Sequence, residues 1–258
     1  MRFDWKSFAA VAVSLAAGAV LSATPAAAAC ERQSFEDAAY IVCGFDLAEA
    51  DIRLFWRGAD DAPHATFSAL AADLKAEGLA LAFAMNGGMY GDDLSPIGLY
   101  VEGGEELRSV NTETSDIRPE PNFYKKPNGI FYLTDDAAGV MATDDYLAHP
   151  PEAAFATQSG PMLVIDGTLH PAFIPGSTSL KPRNGVCAPT PGTVRFAITE
   201  GSVSFHDFGR FFRDHLGCDN ALFLDGGSAP GIYAPDLGRD DPPGHGGYGP
   251  IIAVVEPK

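Results

Sequence analysis

Apolar and polar side chains alternate over residues 40–45 and again over 51–56, with a short acidic turn between them, which predicts two strands joined as a hairpin. The period then lengthens. Phe67, Leu70, Ala71 and Leu74 recur at the spacing of one helical face, so residues 67–77 read as an amphipathic helix that Gly78 stops. Residues 79–85 are apolar throughout, the pattern of a buried strand. They deliver the chain into Asn86-Gly87-Gly88-Met89-Tyr90, where glycine permits a sharp turn. Further strands are predicted at 97–101 and 129–133. Asp166-Gly167 separates apolar runs at 162–165 and 168–170, and Glu200-Gly201 separates runs at 195–199 and 203–206, so both pairs are expected to form hairpins.

The helix-to-strand pattern recurs near the C-terminus. Phe208, Phe211, Phe212 and His215 share one face of a short helix, with Asp207 as its N-cap and Gly217 at its end. Residues 221–224 follow as a buried strand that opens into Asp225-Gly226-Gly227-Ser228. Polar, glycine-rich turns of this kind are where α/β architectures place their sites, and the hairpins make the sheet mixed. No fixed-period repeat or interdomain linker interrupts the pattern. Residues 30–258 therefore read as a single α+β domain with a mixed β-sheet, several hairpins and few helices.

Composition sharpens this picture in three ways. The 258 residues are 46% hydrophobic, enough to bury a sizeable core, and 28 Gly with 20 Pro make the chain loop-rich. A net charge of -17 argues against a surface built for nucleic-acid phosphates or anionic lipid, so an anionic ligand must be met by a local site. At the N-terminus, Arg2 and Lys6 precede an apolar run at 8–21, and Ala27-Ala28-Ala29 supplies the small residues of a cleavage site. Residues 1–29 are thus expected to be a signal peptide, and the protein to be exported, periplasmic or secreted. No later segment reaches the ~20 apolar residues of a membrane span. A lipoprotein fits less well, because Ala27 stands where a large aliphatic residue is usual.

Export changes the meaning of the cysteines. Cys30, Cys43, Cys187 and Cys218 form an even set that favours disulfides, and proximity suggests Cys30 with Cys43 and Cys187 with Cys218. Neither C-x-x-C nor H-E-x-x-H occurs, so the sequence names no cofactor and leaves a metal requirement open. Asp240, Asp241 and His245 could be imagined around a metal, but their Pro/Gly-rich setting reads as an exposed loop.

Two segments concentrate scarce positive charge beside proline and amides: Lys125-Lys126-Pro127-Asn128-Gly129 and Lys181-Pro182-Arg183-Asn184-Gly185. Lys125 and Lys126 read as a solvated rim. Arg183 reads as functional, since a guanidinium matches carboxylate or phosphate geometry in a fixed fork. Asp166 reads as a turn residue. Serine-hydrolase chemistry is a weaker rival: the segments around Ser159 and Ser228 each approach a G-x-S-x-G elbow, but neither completes it.

Seven segments in order, Met85-Asn86-Gly87-Gly88-Met89-Tyr90, Pro96-Ile97-Gly98-Leu99-Tyr100, Asn122-Phe123-Tyr124, Pro127-Asn128-Gly129, Gln158-Ser159-Gly160-Pro161, Arg183-Asn184-Gly185 and Ala221-Leu222-Phe223-Leu224-Asp225-Gly226-Gly227-Ser228, resemble the motifs of the phosphodiester glycosidase family, including its bacterial DUF2233 group. The usual Asp-Gly-Gly-Gly-Ser of better-studied members lacks one glycine here. The resemblance implies hydrolysis of the bond between a sugar anomeric carbon and a phosphodiester oxygen, on phosphoglycan or envelope glycan material. Ordinary glycosidases use two carboxylates because an alcohol leaving group must be protonated. A phosphate leaves more readily, so one carboxylate with a cationic clamp could suffice.

On that resemblance the catalytic set is Asp225, as general base or nucleophile, Arg183 on the phosphate, and Asn86. Asn128, Asn184, Ser159, Ser228, Gly87, Gly88, Gly226, Gly227 and Tyr90 are the expected substrate-binding residues. The expected partner is a carbohydrate phosphodiester, with no nucleic acid and no membrane span. The alternative is a non-catalytic envelope protein that binds a glycan or phosphoglycan through the same loops; such a binder would want more exposed aromatics than Tyr90 and Tyr124 near the motifs.

Overall fold

The computed structural model describes Met1 and residues 29–258, so the expected signal peptide lies almost wholly outside the described residues. In chain order the strands begin with β1 (Ala29–Phe35), β2 (Ala38–Asp46) and β3 (Asp51–Phe55); helix α1 (Phe67–Ala76) and β4 (Leu79–Asn86) follow. Next come β5 (Tyr100–Glu102), β6 (Glu105–Arg108), β7 (Gly129–Leu133), β8 (Ala138–Ala142), α2 (Thr143–Ala148) and β9 (Phe155–Ser159). The C-terminal part holds β10 (Met162–Ile165), β11 (Thr168–Leu169), β12 (Arg183–Thr190), β13 (Thr193–Thr199), α3 (Phe205–Arg210), β14 (Ala221–Gly226), β15 (Ile232–Ala234), β16 (Arg239–Asp240) and β17 (Ile251–Pro257).

These strands form an α+β domain with few short helices, in three sheets: β1-β2-β13-β12-β14-β10-β11, β16-β15-β4-β17-β3 and β6-β5-β9-β7-β8. Among the described residues the named ladders are antiparallel. One apolar core joins all three sheets, with Ile41, Phe83, Phe131, Phe196, Leu222 and Ile252 fully buried. The outer face of the first sheet is covered by α3 and the π-helical turn that continues it, where Phe208, Phe211 and Phe212 pack on Tyr40 and Phe223. Helix α1 buries Phe67, Leu70 and Leu74 against the second sheet, and Thr66 caps it by accepting from the Ala69 amide at 3.1 Å.

Four expectations require correction. Residues 40–45 and 51–56 do not form a hairpin: β2 pairs with β1 and β13, whereas β3 pairs with β17. The acidic turn between them carries the chain from one sheet to another, and both strands still face the shared core. Residues 203–206 are not a strand after Glu200-Gly201, since Val203 makes one bridge to Lys181 and Phe205 begins α3. The α3 N-cap is Ser204 rather than Asp207; the Ser204 hydroxyl accepts from the Asp207 amide and donates to the Asp207 carboxylate. Finally, the strand expected at 97–101 starts only at Tyr100, because the Ile97 amide donates to Met89 in the preceding loop.

The Asp166-Gly167 hairpin forms as expected: Ile165 faces Thr168, and both turn residues have positive φ. Cys30 is bonded to Cys43 and Cys187 to Cys218. Among the described residues no helix is long and apolar enough to cross a membrane.

Candidate active site

Strand ends from all three sheets meet around Asp225. Buried Leu222, Phe223 and Leu224 anchor β14, which ends in Asp225-Gly226; Gly227 then turns at φ 75°, a conformation an L side chain strains to adopt. On β12, Asn184 lies opposite Asp225 and Arg183 opposite Gly226. From the second sheet, β4 ends in Asn86.

Two buried amides tie these ends together. Asn86 Oδ1 accepts from Asn184 Nδ2 at 2.7 Å and from the Gly231 amide at 3.0 Å, and Asn184 Oδ1 accepts from the Asp225 backbone amide at 3.0 Å. Among the described residues Asn86 Nδ2 has no acceptor. Behind β14, the buried Ser159 hydroxyl on β9 donates to the Leu224 carbonyl at 2.8 Å, joining the third sheet to the first.

The Asp225 carboxyl reaches a cavity of about 380 Å³ whose walls include Tyr90, Asn122, Tyr124 and His245. A larger concavity near Leu47 and Thr134 contains none of the residues expected at the site. Protein surrounds Asp225 except at the cavity, and this burial pushes its pKa up to about 7, while the Gly226 amide donated to Oδ1 at 2.7 Å opposes the rise. Burial, reinforced by the Asp225 charge, lifts the Tyr90 phenol to about 12, so its neutral hydroxyl donates to the Gly247 carbonyl at 2.9 Å.

Arg183 is 2% exposed. Its Nε donates to Val203 O at 3.0 Å, Nη2 donates to Ser179 O at 3.3 Å, and the guanidinium lies 3.6 Å from the centroid of the Phe205 ring. No carboxylate among the described residues is in ion-pair contact with it. Burial lowers its pKa to about 10, which leaves it cationic at neutral pH. An unpaired buried charge is costly, and carbonyl oxygens with an aromatic face compensate it only in part. Arg183 is not among the residues that line the Asp225 cavity.

A model of the phosphodiester glycosidase family matches residues 80–253. The chain belongs to that family. It is 34% identical over 175 residues to the uncharacterized protein YigE of Escherichia coli (strain K12), a match covering 68% of this chain and 66% of YigE. Its fold is similar to the zebrafish N-acetylglucosamine-1-phosphodiester alpha-N-acetylglucosaminidase catalytic domain, auto-inhibited by its pro-peptide, with a TM-score of 0.58 at 13% identity over 87% of this chain and 81% of that one. A hypothetical protein from Synechocystis superposes with a TM-score of 0.51 at 12% identity, over 88% of this chain and 61% of that one.

Within this phosphodiester glycosidase family member, Asp225 and Tyr90 line the cavity. Ser228 is exposed beside it and is hydrogen-bonded to His245 Nε2 at 2.8 Å. Asn86 and Asn184 lie behind Asp225 and fix its backbone. Asn128 and Ser159 do not line the Asp225 cavity, and Asn128 borders a separate one with Lys126 and Thr143. The Asn128 amide donates to Phe123 O and accepts from Thr143 and Lys126, so its polar atoms are spent on the scaffold, as is the Ser159 hydroxyl.

The four expected glycines shape backbone. A side chain on Gly87 would press on Ile252 and one on Gly226 on Phe223, while Gly88 and Gly227 hold positive φ. Lys125 is not a solvated rim residue: it is half-buried, donates to Asn122 Oδ1, and faces the same Phe205 ring as Arg183. His245 was hidden in a glycine-rich loop; the close seat of Gly244 on the Ser228 backbone brings it to the cavity. No local spacing signals that contact.

Proposed function

We propose that the protein is an exported hydrolase that cleaves the bond between a sugar anomeric carbon and a phosphodiester oxygen in phosphoglycan or envelope glycan material. One observation carries this reading: a cavity carboxyl that ionises near pH 7 and a buried cation with no acid partner among the described residues arise at neighbouring positions of paired strands. A general base works best with a pKa near the working pH. Arg183 would hold the phosphate, and its charge would oppose the negative charge growing on the departing oxygen.

Asp225 would take a proton from water attacking the anomeric carbon, or attack that carbon itself. Asn86 and Asn184 position Asp225, Tyr90 and Tyr124 offer faces for the sugar, and Ser228 with His245 forms part of the rim. Export rests on the N-terminal pattern, and two disulfides suit an oxidising compartment.

The test is release of phosphomonoester from a panel of sugar 1-phosphodiesters, with and without chelator, by the native protein and Asp225→Asn. Turnover of at least one member by the native protein and its loss in the variant is the expected result. Tight glycan binding with no turnover would instead favour the non-catalytic binder.

A further inference from the structure

A protein of net charge -17 holds two cations on one aromatic ring, with no carboxylate among the described residues in contact with either. Arg183 stacks on Phe205 at 3.6 Å, and Lys125 Nζ lies 5.7 Å from the same ring centroid. The Lys125 hydrogen bond goes to a neutral amide, that of Asn122, which also lines the Asp225 cavity. Glu120 acts on Lys125 only at a distance; burial lowers the ammonium's proton affinity, and the Arg183 charge lowers it further.

The aromatic contacts extend beyond Phe205. Phe173 stacks on Phe205 with centroids 5.0 Å apart, and His170 lies against Phe173. His170 Nδ1 accepts from the Ala172 amide, which places the imidazole hydrogen on a buried Nε2. Burial lowers the proton affinity of this ring, the Lys126 backbone opposes that, and the Lys125 charge adds to it.

Resting on the phosphodiester reading, we propose that Lys125 is the second cation of the Arg183 site, and that the pair makes this site prefer a phosphomonoester dianion over a phosphodiester monoanion. In the hydrolysis the water oxygen bonds to the anomeric carbon, and the carbon–oxygen bond to phosphate breaks with its electron pair left on the phosphate oxygen. The water's proton passes to Asp225 and then to solvent. A diester carries one negative charge, whereas the released monoester, with a second ionisation near pKa ~6, carries nearly two at neutral pH. One cation balances the first and two balance the second. The site therefore holds the product, and the charge developing toward it, more strongly than the substrate.

Calorimetric titration at about pH 7.5 with methyl phosphate and dimethyl phosphate, neither of which has a sugar bond to cleave, tests this apart from turnover. The native protein is expected to bind methyl phosphate at least about 10-fold more tightly, a modest return for one added charge in a partly buried site. Lys125→Gln should bring the two affinities close together, while Lys125→Arg, which keeps the charge, should retain the preference. Equal affinities in the native protein, or an unchanged ratio in Lys125→Gln, would overturn the proposal while leaving Arg183 as a phosphate ligand. Failure of both compounds to bind the native protein would remove Arg183 and Lys125 alike as phosphate ligands.

Discussion

Asp225 ionises near neutrality because burial opposes its charge more than one backbone amide supports it. The sign of the stability effect follows. Its folded pKa lies above that of an unfolded aspartate, so the fold favours the protonated form. The stability it contributes is complete below the ordinary carboxylate range and declines as pH rises, levelling above about pH 7. The loss is on the order of a few kcal/mol at most. Asp225→Asn should therefore melt higher than the native protein at pH 8 and nearly equal to it at pH 4, while turnover falls at least about 100-fold. Melting scans and rates on the same samples check both, and a near-normal rate would move the catalytic role elsewhere. If the ionised form acts, kcat/KM should rise with pH up to about 7 and then flatten. Asp166→Asn should change little, since asparagine also tolerates the positive φ of that hairpin turn.

Elements with a strong local signal were legible in the sequence. The 3.6-residue stripe marks α1, the apolar runs mark β4 and β14, and Asp-Gly marks the β10–β11 turn. Partnership was not legible. Alternation records which face of β2 and β3 is buried, but not that their neighbours lie in different sheets. β12 was hidden because Pro182 and Pro189 flank or interrupt a run that nevertheless pairs on both sides. The same limit applies to the site. Asp225, Asn86 and Arg183 stand at glycine-marked strand ends, whereas the partners that hold Asn128 and Ser159 come from other elements. Ser204→Ala removes the α3 cap and should cost about 1 kcal/mol in chemical denaturation. Reduction of Cys187–Cys218, which ties β12 to the end of the π-helical turn, should cost roughly 2 to 4 kcal/mol by the same measurement.

Across the whole molecule, three sheets share one core and bring their strand ends to one place, so no single segment contains the site. The overall acidity makes this arrangement selective: a phosphate is repelled by most of the surface and met by positive charge only locally. Arg183 is thus the residue on which the phosphodiester reading depends. The direct measurement is cleavage of a sugar 1-phosphodiester and of the matching neutral aryl glycoside by the native protein, Arg183→Lys and Arg183→Ala. Lysine keeps the charge but loses the planar fork, so both variants should lose rate on the phosphodiester, alanine more than lysine. The aryl glycoside should be affected far less. An equal loss on the two substrates would contradict the account and return Arg183 to the fold, as a buried cation held by two carbonyls and an aromatic ring.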